Sequence, residues 1–195
     1  YGIFFVQLSS EFGWSRAVTS GPRALHSIIS GMVSIVAGRL NDRFSPRLVI
    51  TVFVIIFSLS YALMSQTNTI WQFYLFYGVI LGIGMSGSEV PVLSTLARWF
   101  VKKRSMMTGI VKVGAGFGIL MLPLSVSWLI SGYGWRVAYL VIGLASLVIL
   151  VSAAQFMKRD PSQIGQLPDG GTVIEDNSTL EAKELSTQQA IHTRQ

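Results

Sequence analysis

Charge in this chain is bunched into short turns, and the stretches between the turns, such as Leu48 to Met64 and Trp135 to Met157, are nearly all apolar. Each is long enough to cross a hydrocarbon core of about 30 Å as a helix. With 51% hydrophobic and 12% charged residues, against about a quarter charged in an ordinary soluble domain, the composition is that of a membrane protein. The mean hydropathy of +0.55 agrees. A formal charge of +6 raises nucleic acid as a partner. The cations lie in short turns between apolar runs, though, and form no continuous basic face, so nucleic acid is excluded. Without cysteine there is no disulfide, thiol chemistry or cysteine metal site, and the redox compartment is unreadable. The chain opens on Tyr1 inside an apolar run, with no charged segment or cleavage site before it, and is expected to be a fragment lacking its true start.

Tyr1 to Leu8 is expected to be the end of a first membrane helix, closed by the turn SSEFGW. Ser15 caps a second helix reaching about Gly38, a third covers Leu48 to Met64, and a fourth runs from about Trp71 to Arg98. After the basic turn ARWFVKKR, a fifth helix spans about Ser105 to Ile130, and beyond the turn SGYGW a sixth ends near Lys158 to Asp160. That makes five whole spans and part of another in residues 1–160.

Lys and Arg in short loops stay cytoplasmic. Arg39, Arg43, Arg47, Arg98, Lys102, Lys103, Arg104, Lys158 and Arg159 fall on one side, and only Arg16 and Arg136 on the other. This bias puts GRLNDRFSPR inside and Trp14, Trp71 and Trp135 at the outer interface as aromatic anchors. Residues 161–195 turn acidic and become a cytoplasmic linker with a Pro-Asp-Gly-Gly turn at Pro168 to Gly171. Ser178-x-x-Glu181 and Ser186-x-x-Gln189 match capping boxes for short surface helices. Asn177-Ser178-Thr179 matches a glycosylation acceptor that a cytoplasmic position would silence.

On the second helix Thr19, Arg23, His26, Ser27, Ser30, Ser34 and Gly38 recur every three or four residues and share a face. Two readings stand. The stripe packs on a neighbouring helix with Arg23 reaching to the outer interface, or Arg23 and His26 line a water-filled path and meet an anion. Pro22 is expected to kink this helix. Glu89 and Lys112 each lie about 12–13 Å from the basic turn and so share a depth. Unpaired, each costs roughly 2.5–3.5 kcal/mol at a helix centre. They form either a structural ion pair or a site of substrate or proton coupling. Gly78, Gly82 and Ser86, with Gly114-x-x-x-Gly118, read as close-packing surfaces, and a glycine-rich run before Pro123 as an alternative bend. No G-x-S-x-G or Walker loop, paired-acid site or metal-ligand set is present, and His26 and His192 fall on opposite sides of the membrane. Neither an enzyme nor a cofactor is expected.

With the turns placed, Gly38-Arg39-Leu40-Asn41-Asp42-Arg43-Phe44-Ser45-Pro46-Arg47 resembles the signature Gly-x-Leu-x-Asp-Arg-x-Gly-x-Arg of the major facilitator superfamily, between helices 2 and 3. Gly38, Leu40, Asp42, Arg43 and Arg47 match, and Ser45 replaces the second glycine. Glu11 to Ala17, Arg98-Trp99-Phe100 with Lys102 to Arg104, Gly134-Trp135-Arg136, Asp160-Pro161 and Leu167 to Gly170 are similar to the monocarboxylate-porter and oxalate/formate-antiporter branch. The resemblance covers Tyr1 to about Gly170. It implies an all-α membrane protein: the N-terminal six-helix bundle of a twelve-helix major-facilitator fold, its first helix truncated, with the C-terminal half of the same protein as missing partner.

It further implies a multi-pass protein of the cell (inner) membrane, a secondary carrier that moves small organic anions, monocarboxylates first, by alternating access with proton coupling or exchange. Asp42, Arg43 and Arg47 would then be gating residues, Asp42 facing a helix terminus of the other half. Arg23, His26, Glu89 and Lys112 are the candidates for substrate or proton coupling. The alternative is a truncated, transport-inactive bundle, or a half-carrier needing a partner half. A stop immediately after Gln195, with no further six-helix region, would favour that alternative.

Overall fold

A computed structural model describes residues 2–158, 160, 161, 165 and 168–170, without the side chains of Phe5, Arg16, Ala17, Ser88 and Glu89. These residues are helical, with no strand among them. Helix α1 is Gly2–Phe12, α2 Arg16–Arg43, α3 Pro46–Met64 and α4 Ile70–Trp99. The continuous stretch Arg104–Phe156 is two helices, α5 (104–133) and α6 (135–156), because Gly134 at φ 81° and ψ 163° interrupts it. Only glycine adopts that conformation without strain. A short 3-10 turn, Pro168–Gly170, follows. The proposed capping boxes and the glycosylation triplet lie outside the described residues.

Local chemistry sets the ends. Gly13 takes φ 64° and stops α1. The Ser15 hydroxyl accepts from the Val18 amide to start α2, as expected. Ser45 does the same for α3, with Pro46 in the first turn, where a missing N–H costs nothing. At α4, Thr69 and Gln72 form a reciprocal capping box.

Several boundaries differ from expectation. Helix α1 continues four residues past Leu8 to Phe12, since Ser9, Ser10 and Glu11 contain no breaker. Helix α2 runs through the signature to Arg43, so Asp42 and Arg43 sit in its last turn and not in a loop. Helix α5 carries on through Ser131 and Gly132 to the break at Gly134. Ser45 is extended at φ −70°, ψ 142°, so the position needs no glycine and serine gains a cap.

Pro46–Met64, Ile70–Trp99 and Arg104–Phe156 are long and apolar enough to cross a membrane, and the Gly134 break divides the last of them into two helices. Helix α2 is as long, but Arg23, Arg39, Asp42, Arg43 and its serines dilute it. Cross-contacts fix the directions. Tyr74 Oη donates to the Val18 carbonyl, and the Asn41 side-chain amide donates to Ser94, so α2 and α4 run parallel. Ser60 donates to the Phe76 carbonyl while Gly87 abuts Phe53, so α3 opposes α4. Phe4 stacks on Tyr139 at 3.8 Å and Glu11 meets Trp135, so α1 opposes α6. Every Lys/Arg-rich turn therefore falls at one end.

The main core joins Phe4 and Leu8 of α1, Met64 of α3, Phe73, Tyr77 and Leu81 of α4, and Trp135, Ala138 and Tyr139 of α6. Trp135 was expected as an interface anchor. It is instead 6% exposed inside this core, at the expected end of the bundle, while Trp71 is 79% exposed. The glycine expectation divides as well. A Cβ on Gly78 would lie 2.8 Å from Leu25, and one on Gly82 3.1 Å from the His26 carbonyl, as close packing requires. Gly109, Gly114, Gly116 and Gly118 of α5 meet nothing within 4 Å. Their helix presents an open apolar face, with Val113, Ile119 and Leu124 each more than two-thirds exposed.

Candidate functional site

The polar stripe of α2 splits between two surroundings. Thr19 is fully buried and donates to the Ser15 carbonyl. The His26 ring lies 5.4 Å from that of Tyr77, and its Nδ1 is buried with no hydrogen-bond partner. Arg23 and Ser27 are exposed. Ser27 and Ser34 donate to the carbonyls four residues earlier, of Arg23 and Ser30, so these hydroxyls are satisfied on their own helix and not by a neighbour. Beside His26 the backbone of α4 opens into a π-helix over Tyr74–Ile80. Such wide turns recur at functional positions, and nothing in the residue pattern announces this one. Lys112 is exposed on α5. Glu89 belongs to α4, but its side chain lies outside the described residues, so the expected pair with Lys112 has no geometry here.

The Lys/Arg-rich end is built from contacts that cross the sequence. Asn41, inside the signature, is 5% exposed and donates to Ser94 at 2.9 Å. Arg47 Nε donates to the Met157 carbonyl and ties α3 to the end of α6. Trp99 Nε1 donates to the Lys158 carbonyl at 2.9 Å, and Arg98 pairs with Asp160 at 3.3 Å. Asp42 and Arg43 point outward and are exposed, with the Arg43 guanidinium 5.9 Å from the Phe44 ring centre.

Helix α5 has no side-chain cap of its own. The carboxylate of Asp169 supplies one, accepting from the amides of Val101 at 3.0 Å, Lys102 at 2.6 Å and Lys103 at 3.3 Å. The Lys102 amide foremost, with those of Lys103 and Val101 and the Lys103 charge, holds this carboxyl below its ordinary value. A depressed acid contributes above its unfolded pKa, so the clip is present at neutral pH and is lost as pH falls through the acid range. Asp169→Asn is expected to speed amide exchange at residues 101–103 at neutral pH and to remove its acid dependence. Unchanged exchange would contradict the clip.

At the opposite end Glu11 accepts from Trp135 Nε1 and from Arg136 at 3.4 Å. Arg136 also donates to the Thr67 carbonyl at 3.5 Å and to Asn68 Oδ1 at 3.2 Å. In the residue pattern Arg136 is only one charge of the sparse side, yet it ties α1, the turn after α3 and α6 together. Nothing in the local sequence marks Asn41, Asp160, Asp169 and Glu11 as charge or amide partners. The one available signal was that each is a polar residue in a turn, or at a helix end, of an otherwise apolar chain.

No group of three or more His, Cys, Asp or Glu that could hold a metal occurs among the described residues. What the arrangement offers is cationic side chains on open helix faces, between two ends fastened by polar contacts.

The Major Facilitator Superfamily description matches residues 1–192. The chain belongs to this superfamily. Among curated relatives it is similar to monocarboxylate transporter 14 of Mus musculus, 25% identical over 86% of this chain and 33% of the relative. Monocarboxylate transporter 13 of Bos taurus is 27% identical over 79% and 36%, and monocarboxylate transporter 6 of Homo sapiens 30% over 73% and 28%. The chain thus spans about a third of the length of these relatives. As a superfamily member it is a multi-pass membrane protein of a transporter family and not an enzyme. The signature that carried the resemblance is, in structure, a helix end, a cap and a helix start.

Proposed function

We propose that residues 1–160 are the N-terminal six-helix half, its first helix partial, of a twelve-helix secondary carrier for small organic anions, and that 161–195 are the linker to the C-terminal half. Monocarboxylates are the favoured cargo, moved by alternating access with proton coupling or exchange. The observation that carries this reading is the exposure of Arg23 on α2 and Lys112 on α5 in a transporter-family chain. A cation facing hydrocarbon costs roughly 2.5–3.5 kcal/mol at mid-membrane, so such faces belong on a wet cavity or against another protein surface. Each cation offers charge-assisted hydrogen bonds to a carboxylate. His26, with its unsatisfied Nδ1, and Glu89 are the candidates for carrying a proton. The printed names of the relatives, monocarboxylate transporters 6, 13 and 14, support the substrate class.

By the Lys/Arg bias the end holding Gly38, Asp42, Arg43, Arg47 and Asp169 faces the cytoplasm, in the inner membrane of a cell that has two. The exposed last turn of α2 then offers Asp42 and Arg43 to the other half as a gate latch, while Arg47 acts within this half. The open face of α5 packs against helices of that second half. Uptake of labelled lactate, pyruvate, oxalate and formate by cells expressing the complete reading frame, with and without a pH gradient, tests the substrate class. Uptake of none of the four would refute it. For the coupling residues, neutralising Lys112 alone is expected to lower transport more than neutralising Lys112 and Glu89 together. A double variant no better than the single one would mean that the two do not pair.

A further inference from the structure

A cleft of about 250 Å³ opens on the outer side of the bundle at its Lys/Arg-rich end, lined by Ser45, Arg47, Leu48, Thr51, Val52 and Gln155. We propose that this cleft holds the headgroup of an anionic phospholipid, with Arg47 as the main ligand of its phosphate. The polar wall is rich in donors. Arg47 spends its Nε on the Met157 carbonyl, which fixes the guanidinium plane and leaves the terminal N–H groups with no protein partner among the described residues. The Ser45 oxygen accepts from the Leu48 amide, so its hydroxyl proton remains to be donated. Gln155 is exposed, and its amide has no protein partner among the described residues. No carboxylate lines the cleft, and a phosphate diester supplies the acceptors and the negative charge this wall lacks.

The other wall is apolar and selects a lipid over a soluble anion. Leu48 and Val52 belong to a stripe formed by Leu48, Val52, Ile55 and Leu59, which are 53%, 45%, 49% and 53% exposed. Their spacing of three and four puts them on one side of α3, descending from the cleft toward mid-membrane. An acyl chain attached to the bound phosphate lies along that stripe, whereas a free phosphate ion leaves it uncovered. From Ser45 to Val52 is about 10 Å along a helix axis, enough to pass from the headgroup layer into the hydrocarbon. Basic recesses between membrane helices at this level bind anionic headgroups in the same manner. The site depends on the chain spanning a membrane and is independent of the cargo. Its residues are distinct from Asp42 and Arg43, which do not line the cleft.

The test uses the full chain in nanodiscs of phosphatidylcholine with about one lipid in ten phosphatidylglycerol, a mixture with little competing surface charge. Native mass spectrometry after release reads the lipids retained. Phosphatidylglycerol is expected to be enriched over phosphatidylcholine. Arg47→Gln should cut that enrichment about tenfold, as loss of a charge-assisted contact does, and Gln155→Leu should cut it about threefold. Lys103→Gln removes an equal charge at the same end outside the cleft and should leave it unchanged. Equal losses in Arg47→Gln and Lys103→Gln would overturn the site in favour of diffuse attraction. Displacement of the lipid by millimolar inorganic phosphate would overturn it in favour of a soluble anion. Should Arg47→Gln fail to fold, the surface change Gln155→Leu and the cleft-filling Val52→Trp decide alone, and full retention in both would refute the proposal.

Discussion

Replacing Gly84 by alanine is expected to destabilise this chain, because α3 and α4 touch backbone to backbone at that point. A Cβ there would lie 2.6 Å from both the Cα and the amide nitrogen of Phe57, closer than real side chains approach backbone. Gly87, one turn on, also meets α3: a Cβ there would lie 2.0 Å from Cγ and 2.6 Å from Cβ of Phe53, and rotating the ring leaves that Cβ in place. At Gly84 only a shift of α3 against α4 makes room. Overpacking of this kind costs about 1–3 kcal/mol, or a fall in melting temperature of about 2–4 °C per kcal/mol for a chain of this size. Gly114→Ala is the counterpart. Nothing stands within 4 Å of its Cβ position, and alanine favours a helix over glycine by about 1 kcal/mol. Melting temperatures in detergent should therefore fall for Gly84→Ala and hold or rise for Gly114→Ala. The opposite order would mean that α3 and α4 do not pack as described.

Trp135→Ala should be worse still. The ring is 6% exposed, meets Tyr139 edge-on at 6.0 Å and Phe12 at 6.3 Å, and lies 4.3 Å beneath the Arg136 guanidinium. Truncating a buried tryptophan costs about 3–5 kcal/mol, and here it also removes a donor from the Glu11 carboxylate. Trp135→Phe separates these contributions by keeping most of the aromatic contact and losing only the N–H. Glu11 and Arg136 are about two-fifths exposed, so solvent and Arg136 together compensate much of that loss, and the phenylalanine variant should cost about 1 kcal/mol. Thermal unfolding of both variants reads the difference. Equal losses would place the energy in the Glu11 bond and not in the core.

The sequence carried the membrane character, the helix order and the clustering of charge at one end, because hydropathy and capping are local properties. Ser15 could be named as a cap because its hydroxyl and the amide it serves are three residues apart. Arg136 and Asp169 could not be given partners, since Glu11 and the amides of 101–103 lie far away in sequence. The true end of α2 was hidden for another reason. Charged residues favour turns only when helix propensity is weak, and Arg39, Leu40 and Arg43 are good helix formers. The burial of Trp135 follows from the tertiary position of α1, which no local pattern contains. For the substrate candidates, residue spacing determines only depth along the helix. The structure added that Arg23 and Lys112 face outward from their helices, while His26 turns toward Tyr77.

Counterflow measures carrier behaviour most directly. The protein encoded by the complete reading frame is reconstituted in liposomes loaded with unlabelled lactate, and entry of labelled lactate is followed. An alternating-access carrier returns its site faster when it is occupied, so internal lactate should accelerate entry several-fold and drive a transient accumulation of label above equilibrium. Entry at the rate of empty liposomes, with lactate and with each of pyruvate, oxalate and formate in its place, would contradict the account.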